Sequence, residues 1–166
     1  MRVPIVLIVG ALFASNAGAR IGETSDEAAK RYGPPLDSHA GAYSNTIARV
    51  YNKDGIRVEA TFITSGSGKI VIGEIRYSLP KEMGQSNAVA KVVLLQLLDA
   101  NAAGQQWDIQ NNLPATQIYH RPGVTATLTP NLLTVTLDEY AALVGAEKNS
   151  RVTEQSDRID KHLNEF

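Results

Sequence analysis

The sequence has no cysteine, few aromatic residues and almost no excess of charge of either sign. Among 166 residues there are one Trp and three Phe, and 16 Lys and Arg stand against 17 Asp and Glu, a formal net charge of −1. The absence of cysteine excludes a disulfide framework, a zinc–thiolate centre, a thiol nucleophile and a cysteine-borne lipid. The near-balance of charge excludes the clustered basic footprint of a domain that binds DNA or RNA. Long apolar runs are missing too. The longest, residues 5–14, would cover about 15 Å as a helix against a hydrocarbon core of ~30 Å, so no membrane span is expected. The length fits one domain with a modest core.

Catalytic and cofactor signatures are equally scarce. His39, His120 and His162 fall in a loop, at a strand end and near the C-terminus, and no two are four residues apart as a helical metal pair would be. The stretch Ser65-Gly66-Ser67-Gly68-Lys69 resembles a phosphate cradle only superficially. Ile70 follows the lysine where a hydroxyl is required, and a strand follows where a helix is required. Gly66-Ser67-Gly68 lacks the flanking residues of a nucleophile elbow. No cofactor and no metal are therefore expected, and the chain reads as a non-enzyme.

What is present begins with an address. Arg2, the apolar residues 5–14 and the small residues Ala17-Gly18-Ala19 have the order of a charged region, a short hydrophobic region and a peptidase site. Residues 1–19 are expected to be a signal peptide cut after Ala19, against the alternative of a buried N-terminal strand or helix. The destination is a bacterial periplasm or the medium. Residues 20–148 are expected to form one domain, and residues 149–166 a charged tail, helical or disordered.

Within the domain, Thr24 followed by Glu27 forms a capping box, Asp26 and Glu27 suit the positive end of the helix dipole, and Gly33-Pro34-Pro35 stops the helix. Residues 43–52 and 55–64 flank Asp54-Gly55, a hairpin signal, and residues 69–77 follow a Ser-Gly turn. Ile56, Val58, Ala60 and Phe62 alternate with Arg57, Glu59 and Thr61, the mark of one buried and one wet face. On the next strand Val71, Ile75 and Tyr77 oppose Glu74 and Arg76. A very apolar helix, capped by Ser86 and running to about residue 103, is expected to be buried on most sides. Residues 116–120, 124–129 and 132–137 then read as three short strands, with residues 110–114 a connector, and Asp138 caps a last helix to about residue 146. Segregated helices and strands of this kind predict an α+β fold with an antiparallel sheet, built as helix, meander, helix, meander, helix.

Two surfaces stand out as recognition faces. One carries Arg57, Glu59, Thr61, Ile72, Glu74 and Arg76, where Glu59 and Glu74 read as members of a cross-strand ion-pair ladder rather than an acid–base dyad. The other carries Thr125, Thr127, Thr129, Thr134 and Thr136, which β-propensity alone would also place on the wet side of strands. Trp107 and Tyr119 are candidate anchors, against the alternative of core packing. Val152, Ile159, Leu163 and Phe166 form a weak amphipathic stripe in the tail.

The segments Gly22-Glu23-Thr24-x-x-Glu27, Arg31-Tyr32-Gly33-x-Pro35 and Leu97-Leu98-x-x-Asn101-x-x-Gly104-x-x-Trp107 resemble a family of small secreted bacterial proteins. That family is loosely similar to β-lactamase-inhibitory-protein-like folds and to the small lipoproteins of outer-membrane barrel assembly. The resemblance implies a capped helix before a small antiparallel sheet, and a role in binding proteins. This leader lacks a lipobox cysteine, so anchoring by that route is not implied. The expected function is an exported, non-catalytic interaction module of the cell envelope, its partner another envelope protein. The alternatives are a small periplasmic hydrolase without a recognisable motif and a structural envelope protein.

Overall fold

The computed structural model describes residues 20–80, 87–113 and 115–163; the expected leader and the expected Ser86 cap lie outside them. The chain runs α1 (Ser25–Tyr32), β1 (Asp37–Ala40), β2 (Ile47–Lys53), β3 (Ile56–Thr64), β4 (Ile70–Ser78), α2 (Asn87–Ala100), β5 (Asp108–Leu113), β6 (Thr116–Arg121), β7 (Val124–Thr129), β8 (Leu132–Leu137) and α3 (Asp138–Leu163). The architecture is α+β with a single antiparallel sheet.

The local signals act as the sequence predicts. The Thr24 hydroxyl accepts from the Glu27 amide, the Glu27 carboxylate accepts from the Thr24 amide at 2.8 Å, and the Gly33 N–H closes the helix on Ala29. Asp54 and Gly55 both adopt positive φ, at 53° and 83°, as the two-residue hairpin turn between β2 and β3 demands.

The strand order is β1-β2-β3-β4-β8-β7-β6-β5. Each half is a four-strand meander of hairpins, and the halves join through their last strands, Ile75 opposite Val135 and Tyr77 opposite Leu133. The chain leaves β4 at the middle of the sheet and re-enters at its far edge, and α2 spans that distance while packing on β8. One register row, Tyr51–Val58–Tyr77–Leu133–Leu128, crosses five strands and is buried throughout. Ala28 and Tyr32 of α1 and Ala90, Val93, Leu94, Leu97 and Leu98 of α2 close over this face. Burying each large aliphatic side chain there contributes about 1.5–3 kcal/mol.

Several elements differ from the sequence reading. Two strands are added, β1 and β5, one at each edge of the sheet. Every residue of β1 is exposed and β5 is nearly so, hence neither carries an apolar alternation. Helix α2 ends at Ala100 and buries one face only, leaving Val89 and Val92 exposed. Helix α3 is one element of 26 residues that passes through the expected stop near residue 146. Val71 and Ile72 exchange sides. Between Thr61 and Phe62 the register shifts so that Gly73 becomes an extra residue, which resets the alternation and buries Ile72 completely opposite Phe62. A side chain at Gly73 would meet Ile63 at 3.0 Å.

Candidate interaction face

Strand pairing decides where the polar side chains gather. Because β4 pairs with β8, Glu74 lies opposite Thr136 and Arg76 opposite Thr134. Those threonines in turn face Thr125 and Thr127 on β7, and Glu59 faces Arg76 on the other side. The two surfaces read separately from the sequence are thus one continuous face. One row runs Glu59–Arg76–Thr134–Thr127–Ile118, and its neighbour runs Thr61–Glu74–Thr136–Thr125–His120.

The ion pairs on this face run along strands, not across them. Arg57 Nη2 meets Glu59 Oε2 at 3.0 Å and Arg76 Nε meets Glu74 Oε1 at 2.9 Å, each pair two residues apart and therefore on the same side. The expected cross-strand ladder does not form. Arg57 and Arg76 are about half exposed, so each pair is worth at most about 1 kcal/mol.

Helix α3 covers one end of the face. Tyr140 is buried beside Thr61, which is only 6% exposed as a result. Burial, with the Glu74 carboxylate nearby, pushes the Tyr140 hydroxyl up to about 12. Three further contacts hold the helix down. The Gly66 amide donates to Glu139 at 2.9 Å, Tyr43 packs edge-on against Tyr140 at 5.8 Å, and the Ser44 amide and hydroxyl both donate to Glu147, at 3.1 and 2.8 Å. Those Ser44 bonds hold the Glu147 carboxyl below its ordinary range. The other end, with Arg57, Glu59, Arg76, Thr127 and Thr134, stays half-buried to exposed. Val152 of the tail stripe is exposed, while the side chains of Ile159 and Leu163, and Phe166 itself, lie outside the described residues.

Trp107 and Tyr119 do not belong to this face. Tyr119 points to the helix-covered side, where it is 8% exposed, and its hydroxyl donates to Gln117 at 3.1 Å. Trp107 donates from Nε1 to the Leu98 carbonyl at 3.0 Å, and the Arg121 guanidinium stacks over its ring at 5.2 Å. Trp107 packs at the end of α2 and Tyr119 belongs to the core. Arg121, which the sequence places in the turn after residue 120, is instead the last residue of β6 and is 94% buried there. Its Nε donates to the Asn101 carbonyl at 3.2 Å and caps the negative end of the helix.

The histidine and hydroxyl chemistry is that of a surface, not of a relay. His120 Nε2 lies 3.6 Å from Asp138 Oδ2, and the Thr125 hydroxyl donates to the same carboxylate at 3.1 Å. A nucleophilic triad needs the hydroxyl to donate to the imidazole, and here both groups converge on the acid. Among the described residues no three His, Cys, Asp or Glu side chains gather as metal ligands, and no helix is long and apolar enough to cross a membrane. No protein-family model matches the chain, and neither a curated protein nor a solved structure matches it.

Proposed function

We propose that the chain is an exported, non-catalytic interaction module of the bacterial envelope. Its contact face is the open end of the polar sheet surface, with Thr127, Thr134, Arg76, Glu59 and Arg57. The observation that carries this reading is the β4–β8 register, which fuses two polar patches into one face on the central strands of a rigid sheet. The edges are poorer docking surfaces. β1 is four residues long and β5 is bulged near Gln110, two features that blunt strand addition. The opening segment and the stretch from Leu97 to Trp107 resemble a family of small secreted proteins of uncharacterised function, and the loose similarity of that family to protein-binding folds supports the same role. The leader expected to end at Ala19 supplies the route.

Crosslinking capture of the chain from residue 20 onward in its host envelope, read by mass spectrometry, tests the proposal. A stoichiometric partner that is lost with Thr127→Arg and kept with Val152→Ser is expected. A partner indifferent to Thr127→Arg, or no partner, overturns it.

A further inference from the structure

Helix α3 covers part of the polar face with little apolar material of its own. Of its described residues Tyr140 alone is apolar and buried, and Leu143 and Val152 are exposed. Tyr140, Val144 and Glu147, none of them fully exposed, are spaced by four and three residues and so share one side of the helix. What lies beside Tyr140 is polar: Thr61, which is buried, and Glu74, whose side chain is far less exposed than that of its ion-pair partner Arg76. The helix is fastened in two different ways. It grows directly out of β8, where the Asp138 N–H donates to the Gly123 carbonyl at 3.0 Å and the Asp138 carboxylate accepts from Thr125 at 3.1 Å. Further along it is clipped to two exposed loops. Glu139 accepts from the Gly66 amide between β3 and β4, and Glu147 accepts from the Ser44 amide and hydroxyl between β1 and β2. Residues 148–156 are all exposed.

We propose that residues 139–147 of α3 are a displaceable cover, hinged at Asp138, which a partner lifts so that Thr61, Glu74 and Thr136 join the open end of the contact face. The inference rests on the contact-face reading given above and adds control to it: the closed helix keeps half of the face occupied. Opening the cover releases the Gly66 and Ser44 clips and uncovers one aromatic side chain. Lifting α2, by contrast, would expose Ala90, Val93, Leu94, Leu97 and Leu98. Segments with few buried apolar contacts open well below the cost of global unfolding, and α3 is such a segment. The helix also shows what must replace it. A partner segment that takes its place offers acidic side chains to the Ser44 and Gly66 amides and an aromatic ring to Tyr43, which now packs on Tyr140.

The chain has no cysteine, so one introduced thiol reports opening without background. Thr61→Cys places it beside Tyr140. In the folded protein it is expected to react with a maleimide at least about tenfold faster than global unfolding allows, with little dependence on urea below the midpoint. Glu139→Gln with Glu147→Gln weakens both clips and should speed labelling about fivefold further while the urea midpoint stays in place. Labelling that waits for global unfolding, or that ignores the loss of both clips, overturns the cover. Ala42 and Lys148 line one groove between the β1–β2 loop and α3. Ala42→Cys with Lys148→Cys, joined by a short bis-maleimide, holds the helix shut and leaves both clips intact. The bridged chain should capture the envelope partner about fivefold less than the same variant unbridged, because only the open form presents the whole face. Equal capture overturns the proposal. If neither form captures a partner, or capture ignores Thr127→Arg, the contact-face reading has failed and takes the proposal with it. The labelling rates, measured with no partner present, tell that failure from a cover that does not move.

Discussion

The two faces of this sheet are made by the same strands and do opposite things. On the side under α1 and α2, β3, β4, β7 and β8 present apolar, buried residues at every second position, and the buried polar groups Tyr77, Asn101 and Arg121 are tied to one another or to backbone. On the other side β3, β4, β7 and β8 carry mostly hydroxyls and charges, which α3 covers along one end, while Ala48, Val50 and Ile63 at that side are buried. Alternation along a strand, which costs the chain nothing in length, separates cohesion from contact. Substitutions should therefore sort by face: large losses of stability with the helix side, small losses of stability with the polar side.

The sharpest contrast is expected from the apolar side. Leu94 is fully buried between α2 and the sheet. Leu94→Ala should cost about 2–5 kcal/mol, the transfer loss plus the cavity it leaves, measured as a shift in the urea midpoint at unchanged slope. A shift as small as that of a polar-face substitution would break the comparison.

Next comes alkaline pH. Burial pushes the Tyr77 hydroxyl up to about 12, and burial also raises that of Tyr32. A group whose folded pKa is raised stabilises the fold fully below its unfolded value, near 10, and loses that contribution as pH climbs through the folded value. Stability should thus hold to about pH 10 and fall between there and about 12, by roughly 3 kcal/mol for Tyr77. Denaturant titrations across that window check it, and Tyr77→Phe should make the slope shallower, leaving the part due to Tyr32 and Tyr140, while lowering stability at neutral pH through the lost partner of Asn101.

How far the sequence reaches also divides by element. The capping box at Thr24 and Glu27, the Asp54-Gly55 turn and the alternation of β3, β7 and β8 were all legible, because each is a local rule with its own residues. The edge strands were not. β1 and β5 bury nothing, and their pairing is fixed by neighbours rather than by a pattern of their own. The continuous polar face was half legible: its residues could be named, but their union depends on β4 meeting β8, a pairing between residues about 60 positions apart. Ile72 was misplaced because one extra residue, Gly73, inverts the alternation. Trp107 and Tyr119 look like anchors in a sequence that has few aromatics, yet their neighbours, Leu98, Arg121 and Gln117, make them packing groups.

The covered end of the polar face should open in acid. Glu147 is held low by its Ser44 bonds, so its contribution is present above the unfolded carboxylate value, about 4.3, and is lost as pH falls through the lower folded value. The Ser44 amide resonance should titrate with that depressed midpoint and lose its shift on Glu147→Gln. A midpoint at the ordinary value would mean that the Ser44–Glu147 contact does not hold the helix, leaving Tyr140 and Glu139 to hold it.

The smallest effect on stability is expected where the effect on binding is largest. Thr134 sits between Arg76 and Thr127 on central strands, half-buried on the open end of the surface. Thr134→Val keeps the branched shape that suits a strand and removes only the hydroxyl. Arg57→Ala removes a half-exposed ion pair. Each should change stability by no more than about 1 kcal/mol, the upper end for an exposed ion pair and close to the range of surface substitutions. If this face is where a partner docks, the two together should weaken capture while the urea midpoint stays in place, and Leu94→Ala should do the reverse at temperatures where it remains folded. Parallel losses of stability and capture in both variants would show that the two faces are not separable, and that contact depends on the whole sheet rather than on one side of it.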